Sequence, residues 1–462
     1  MKSNKNKASL LLVTAALALS TGAGAQNLRT GYFLEGYHYR HQMNPAFEGE
    51  QAYVGLPALG NLDVTARGNI GISNFLFKFD DPTGKSGLTS FMNSAVSRAE
   101  FLGGLNDRNR LSANLDASLL SCGFKKWGGF NTVSVGLHTR NNFNLPYDLF
   151  DFMKTGQPNG DHTRYHLTDL QMTSMNYADI SFGHSRKIDD KLTVGATVKF
   201  LLGAGLVETK FDQMEIVMGE TEWQIKADGY TNAGIRGASF KTKNGAEVDG
   251  IEVNAPGIGG FGLGLDLGAS YKLTDDITLS AAMIDLGFIH WGHTLRGVTP
   301  ATPYSFKGFD TIGVGSGSEN PPIEDQFDDL MDDFEDWAKF NDGGVISKNS
   351  FLATTINIGG EYELPAYRKL SFGLLSSTHI NRPYTWTEAR ASVNVNPIKW
   401  FEASLSGGYS TYGASFGFMV NFRPKVFNLF LGTDLMITEV TPQFVPVNNL
   451  NANVCMGINF TI

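Results

Sequence analysis

The chain has 462 residues with 53 glycines, 33 phenylalanines and two cysteines, and two thiols do not make a disulfide-stapled fold. Its net charge of −9 argues against a nucleic-acid partner, whose phosphates require a basic surface. A mean hydropathy of −0.14, with no uncharged apolar run of helix-spanning length beyond the first 25 residues, excludes a helical-bundle membrane protein.

Lys2, Lys5 and Lys7 form a basic start, residues 8–20 are apolar, and Ala23-Gly24-Ala25 offers a small-residue cleavage site. Together they predict a secretory signal over residues 1–25, cut after Ala25; the apolar run is shorter than the ~20 residues of a bilayer span. No Cys follows the cut, so a lipoprotein anchor is not expected. Residues 26–60 are mixed in polarity, and Pro45 favours a turn with Asn44 extended before it. His38 with His41, and His162 with His166, have a spacing that a helix would turn into a metal pair, but no second cluster supplies further ligands, so neither metal nor cofactor is expected.

Residues 61–462 read as a transmembrane antiparallel β-barrel. A strand crossing lipid puts apolar side chains outward at every second position and needs about ten residues when tilted. The first such strand is expected over residues 62–73. Leu111, Ala113, Leu115, Ala117 and Leu119 then alternate with Ser112, Asn114, Asp116 and Ser118, and Leu192, Val194, Ala196, Val198 and Phe200 with Thr193, Gly195, Thr197 and Lys199. The period of two continues over residues 263–273, 356–362, 389–395, 401–409, 416–422 and 427–435. The last strand runs to the end, with Val454, Met456, Ile458, Phe460 and Ile462 on one face. Short polar turns at residues 125–129, 187–191, 274–276, 365–369, 396–399 and 423–425 take turns with long segments at 75–108, 141–171, 207–256 and 292–349. That rhythm of periplasmic turns and extracellular loops, with an even count of about fourteen strands, is the pattern of outer-membrane barrels.

Within the long acidic loop 292–349, Phe327, Leu330, Met331, Phe334 and Trp337 recur at helical spacing, opposite Asp325, Asp328, Asp329, Asp332, Asp333, Glu335 and Asp336. They predict a short amphipathic helix with a solvated acidic face. Its spacing is not that of an EF-hand.

By parity, Asp116, Asp179, Lys199, Asp266, Glu361, Glu388, Arg390, Glu402 and Asp434 point into the lumen, lining a polar path, anchoring a plug or pairing with one another. Cys122 and Cys455 are both expected to point inward, on the second and fourteenth strands, and to be unpaired. Gly257, Gly259 and Gly262 fit G-x-G-x-x-G but lead into a strand rather than a helix. Gly413, Ser415 and Gly417 fit G-x-S-x-G, yet no helix pattern and no His follow. No catalytic residue is assigned and no enzyme is expected, since no nucleophile, base and orienting group converge.

The segments Tyr32-Phe33-Leu34-Glu35-Gly36 and Arg40-His41-Gln42-Met43-Asn44-Pro45-Ala46-Phe47 resemble the N-terminal signature of an outer-membrane barrel family of Bacteroidota that carries a domain-of-unknown-function label. Gly60-Asn61-Leu62, residues 94–105, residues 145–150 and Asp285-Leu286-Gly287-Phe288-Ile289 with Trp291 extend the likeness over nearly the whole mature chain. The family is similar in outline to FadL long-chain fatty-acid transporters and to the PorV shuttle of type IX secretion. The FadL resemblance implies that residues 26–60 are a plug or hatch, with Asn44, Pro45 and Ala46 near its turn, and that a hydrophobic ligand leaves through a side opening in the wall. A periplasmic tail leading into the first strand is the alternative for that segment. Two functions follow as expectations, both set in outer-membrane lipid. One is FadL-like uptake of small hydrophobic compounds; the other is a PorV-like docking barrel that binds a secreted or surface protein.

Overall fold

Alternating apolar and polar residues give each strand one greasy and one wet face, and a curved sheet of such strands is stable in lipid only when it closes and leaves no unpaired edge. The computed structural model describes residues 28–49, 51–80, 86–157, 163–306, 339–381, 384–435 and 451–462. In it, fourteen antiparallel strands close into a barrel. The wall begins with β1 (Leu62–Gly68), β2 (Arg108–Lys126), β3 (Gly129–Pro146), β4 (Leu170–Lys187) and β5 (Leu192–Met218). It continues through β6 (Gly260–Lys272), β7 (Ile277–Val298), β8 (Thr354–Glu363), β9 (Leu370–Ile380) and β10 (Trp386–Ile398). It ends with β11 (Phe401–Ser410), β12 (Gly413–Phe422), β13 (Phe427–Thr433) and β14 (Ala452–Thr461). Closure is the pairing of β14 with β1, from Leu62↔Met456 to Ala66↔Ala452.

The first wall position is filled in two pieces. Tyr53–Gly55 pairs with β14 on one side and β2 on the other, so the wall starts before Gly60, the expected end of the plug. Residues 56–61 bow out between the two pieces, and Ala58 takes a left-handed conformation with φ of 61°. The excursion stays tied by Leu56 N to Ile458 O at 3.0 Å and by Ser118 N to Asn61 O at 2.9 Å.

The outer face carries exposed rows such as Phe372 and Leu374 on β9, Phe416, Val420 and Phe422 on β12, and Val454, Met456 and Phe460 on β14. Water does not tolerate apolar patches of that extent; hydrocarbon does, and the protein is an outer-membrane β-barrel. Exposed Trp127, Tyr362, Tyr367 and Trp400 sit at the short turns, where aromatic side chains settle at a membrane–water boundary. The turn from β2 to β3 has only Trp127 and Gly128, with φ of 57° and 76°, the double positive φ of a type I′ hairpin.

Two β-bulges upset the parity read from the sequence. The register between β2 and β3 shifts between Ser118 and Leu120. Leu120 therefore turns outward at 57% exposure, and with it Cys122, opposite the exposed Val54. The expected inward placement of Cys122 is thus corrected, because one extra residue reverses every later side chain. Cys455 is buried inside, and both thiols are free. The second bulge lies in β7 opposite Leu265–Leu267, where Asp285 has φ of 59°.

Residues 207–256, expected as a loop, are largely strand. The upper half of β5 pairs with Trp223–Gly234, a hairpin of Ala238–Lys243 and Glu247–Val253 follows, and Asn341–Phe351 pairs with the upper half of β7. Above the lipid a strand needs no apolar outer row, so it carries no alternation to detect. The G-x-G-x-x-G and G-x-S-x-G runs end in β6 and β12 respectively. The predicted acidic helix, His162 and the leader lie outside the described residues.

Candidate functional site

Residues 28–49 lie inside the barrel as a plug. Short 3-10 turns at Arg29–Gly31 and His38–Gln42 fold it tightly enough to bury Leu28, Tyr32, Tyr37 and Tyr39 against Phe130, Leu375, Met419, Phe430 and Cys455 of the wall. His38 stacks on Tyr53 with ring centroids 4.6 Å apart, and His41 Nδ1 lies 2.8 Å from His38 O. Burial lowers both imidazoles to about 4, helped at His38 by the charge of Arg423, so both are neutral at pH 7. Among the described residues no group of three His, Cys, Asp or Glu is placed to hold a metal ion.

The Asn-Pro-Ala turn sits on a floor of two glycines. Asn44 Oδ1 accepts from Ala46 N at 3.0 Å, and Asn44 Nδ2 donates to Ala269 O of β6 at 3.2 Å. Asn357 of β8 donates to Met43 O at 2.9 Å. Below, Gly195 of β5 pairs with Gly268 of β6; a Cβ at Gly195 would lie 2.1 Å from Pro45 O, and one at Gly268 2.1 Å from Asn44 Oδ1. Only glycine admits this approach. Gly268→Val is expected to lift the turn and cost about 1–3 kcal/mol, seen as faster proteolysis within residues 28–49 of the refolded barrel; unchanged proteolysis would show that the turn does not rest there.

Four of the expected lumen charges meet at the plug. Asp434 accepts from Arg29 N and Thr30 N, both at 2.8 Å, and from Thr30 Oγ1 at 2.7 Å. Glu402 accepts from Gly36 N at 3.1 Å and from Arg423 at 2.9 Å. Glu388 accepts from Arg390 Nε at 2.7 Å and Arg67 at 3.2 Å, with Arg29 3.7 Å away. Arg67 and Arg29 both lie over the Trp386 ring, at 4.1 and 4.8 Å from its centroid.

Another four form a second cluster across β2 to β7. His138 stands between Asp116 at Nδ1 and Asp179, 2.7 Å from Nε2, while Arg140 pairs with Asp116 at 2.7 Å. Lys199 bridges Asp266 at 2.9 Å and Asp285 at 2.5 Å. Glu361 stands apart from both clusters, accepting from Ser371 Oγ at 2.7 Å.

Sequence reasoning missed Arg29, Arg67, His138, Arg140 and Asp285. Parity along β3 would have turned His138 and Arg140 inward with Ser134. Asp285 is different, since strict alternation with Ala281 and Met283 aims it at lipid. A lone carboxylate in such a row was itself the signal of a bulge.

Above the plug, toward the long connections, lies a chamber of about 500 Å³. Gln42 and Met43 of the plug form part of its lining, with Met175, Leu206, Ile284 and Leu352 among its apolar sides and Asn114, Thr173 and Asn381 among its polar ones. Cys455, by contrast, is sealed beneath plug and wall, 3.8 Å from Tyr37 Oη and 3.5 Å from Asn61 Oδ1. A water-soluble maleimide is expected to leave it unmodified until the plug is released; labelling of the folded barrel as fast as of the denatured chain would contradict the seating described.

The sequence profile described as a family of unknown function, DUF5723, matches residues 45–434. No curated protein sequence matches the chain. Among solved structures, the Ralstonia pickettii toluene transporter TbuX aligns at 9% identity over 95% of each chain with a TM-score of 0.41. The P. putida toluene transporter TodX aligns at 10% identity over 91% of this chain and 92% of its own with a TM-score of 0.36. A Pseudomonas aeruginosa FadL homologue has the same identity, coverage and score.

Proposed function

The chain belongs to DUF5723, a family of unknown function, and we propose that this outer-membrane barrel takes up small hydrophobic compounds from outside. The observation that carries the reading is the chamber of about 500 Å³ closed below by a plug held through its own backbone. A pocket of that size takes a small molecule, and apolar side chains supply most of the attraction in such sites. With the periplasmic half of the lumen filled, a ligand leaves sideways, and the bowed segment 56–61 of the first wall position is a place where the ladder is interrupted.

The test compares a strain lacking the chain with its complemented parent for accumulation of radiolabelled toluene and decanoate. Faster entry into the complemented cells, by about tenfold or more, is the expected result. Equal entry of every compound, with a stoichiometric protein co-purifying from detergent-solubilised membranes, would replace uptake by docking. The extended β5, 27 residues long, is the feature that a docking barrel would use.

A further inference from the structure

The strand Asn341–Phe351 has a free edge on the side of the long connections, and that edge points to a function separate from uptake. Along β7 the strand pairs from Phe288↔Phe351 to Val298↔Asn341. On its other side the hairpin of residues 238–253 holds only the top, through Glu247↔Asn341 and through Asp342 N to Ala246 O at 2.7 Å. Below, β9 joins β8 at Thr354↔Ile380 and runs downward from there. Between those two points, among the described residues, no strand pairs with the second edge of residues 343–351. The cause lies in β9, which ends at Ile380; the next residue, Asn381, donates through Nδ2 to Asn142 of β3 at 3.3 Å, so the chain has turned from the wall toward the lumen. The line of the β8–β9 ladder thus continues upward with a strand on one side only.

Leu352 N donates to Gly287 O of β7 at 2.9 Å. Successive residues of an antiparallel strand turn their backbone groups to opposite sides, so the N–H and C=O of Phe351, Asn349 and Ser347 face the free edge. Such a row is a template for a further strand, and proteins blunt it with proline or with lysines along the edge. Residues 343–351 contain no proline, and their one lysine, Lys348, is drawn to Glu208. Val345, Ser347, Asn349 and Phe351 are exposed on the outer face, with Ile380 exposed at the foot of the edge. We propose that this edge takes up an extended segment of another polypeptide as an added strand, seated above Ile380 on the line of β9. Backbone hydrogen bonds supply the affinity and alternate side chains are sorted by face, polar beside Lys348 and Ser350, apolar or β-branched beside Val345 and Phe351. A second copy of this chain does not suit the seat, because a two-fold axis that makes the same edge pair antiparallel with itself also turns one barrel upside down in the membrane.

The experiment titrates the full chain in lipid nanodiscs with a fluorescein-labelled peptide of about ten residues, alternating valine with threonine or lysine and long enough to span the edge at ~3.3 Å per residue. Binding is read by fluorescence anisotropy. Two further peptides carry N-methyl groups on one or the other set of alternate amides. An added strand bonded on one side uses only half of its amides, so one methylated peptide is expected to bind at least about tenfold more weakly and the other as well as the unmodified one. Asn349→Pro removes an N–H that the β7 ladder does not use, a place where a strand accepts proline, and should weaken the unmodified peptide by about tenfold; Asn349→Ala keeps the amide and should bind as the parent does. Folding is checked by the difference in gel mobility between unboiled and boiled samples, with Ser347→Pro as the second variant, and the methylated peptides decide on the parent alone. Failure of the unmodified peptide to bind, equal binding of both methylated peptides, or undiminished binding in a folded proline variant would overturn the assignment. So would parent dimers in detergent that vanish in Asn349→Pro, which would give the edge to a second copy. None of these outcomes depends on whether toluene enters complemented cells faster.

Discussion

Deletion of residues 28–49 is expected to turn a sealed barrel into a steady ohmic pore. A wall of fourteen strands encloses more space than its own inward side chains fill, since interiors close up at about eight strands and leave a water channel at about sixteen. Here the difference is taken up by Leu28, Tyr32, Tyr37, Tyr39 and their neighbours, which pack against Phe130, Leu375, Met419 and Phe430. The intact chain in a planar bilayer should show only baseline current, and the deleted chain a stable step at least about tenfold above it, given a lumen lined by polar residues. Because the deletion also removes a core, the double substitution of Gly195 and Gly268 by leucine serves as a full-length counterpart: it should raise the frequency of transient openings. Equal currents from all three proteins would show that the plug does not set the seal.

Glu388→Ala is expected to cost about 3–5 kcal/mol of stability, the usual penalty for stripping one member from a buried ionic cluster. The Glu388 side chain is fully buried and is the anion shared by Arg390, Arg67 and Arg29. Arg390 keeps Ser406 at 2.7 Å and the Asp434 carbonyl at 3.1 Å, but the other two guanidinium groups lose their closest carboxylate. Urea unfolding of the barrel in lipid vesicles, read by the fluorescence of Trp386 beneath those guanidinium groups, measures the loss. Glu388→Gln keeps the shape without the charge and should fall between the parent and alanine. A change below about 1 kcal/mol in Glu388→Ala would place it with ordinary surface substitutions and show that the cluster does not hold the wall to the plug.

Much of this architecture was legible because lipid imposes a strict rule. Val454, Met456 and Phe460 on the last strand, or Phe416 and Phe422 on β12, face outward as their period demands. The rule fails where its cause is missing. The upper half of β5 extends past the alternating stretch from Leu192 to Phe200, and without hydrocarbon around it no apolar row marks it. Parity also fails past a bulge, which is how Cys122 came to face lipid and Asp285 to reach Lys199. As for the site, the wall carboxylates Asp434 and Glu402 could be aimed inward from their own strands. Their partners could not be named, because backbone amides of Arg29, Thr30 and Gly36 carry no mark in a sequence.

Those same amides bear on the order of assembly. Arg29 N and its acceptor Asp434 are 405 positions apart, so the start of the plug waits for a residue near the far end of the chain before its backbone is held. Contacts that span so much sequence form late, after the loop between them has closed. An incomplete barrel therefore offers only part of the seat for its own stopper, and the anchor at Asp434 is added as the final strands come into place.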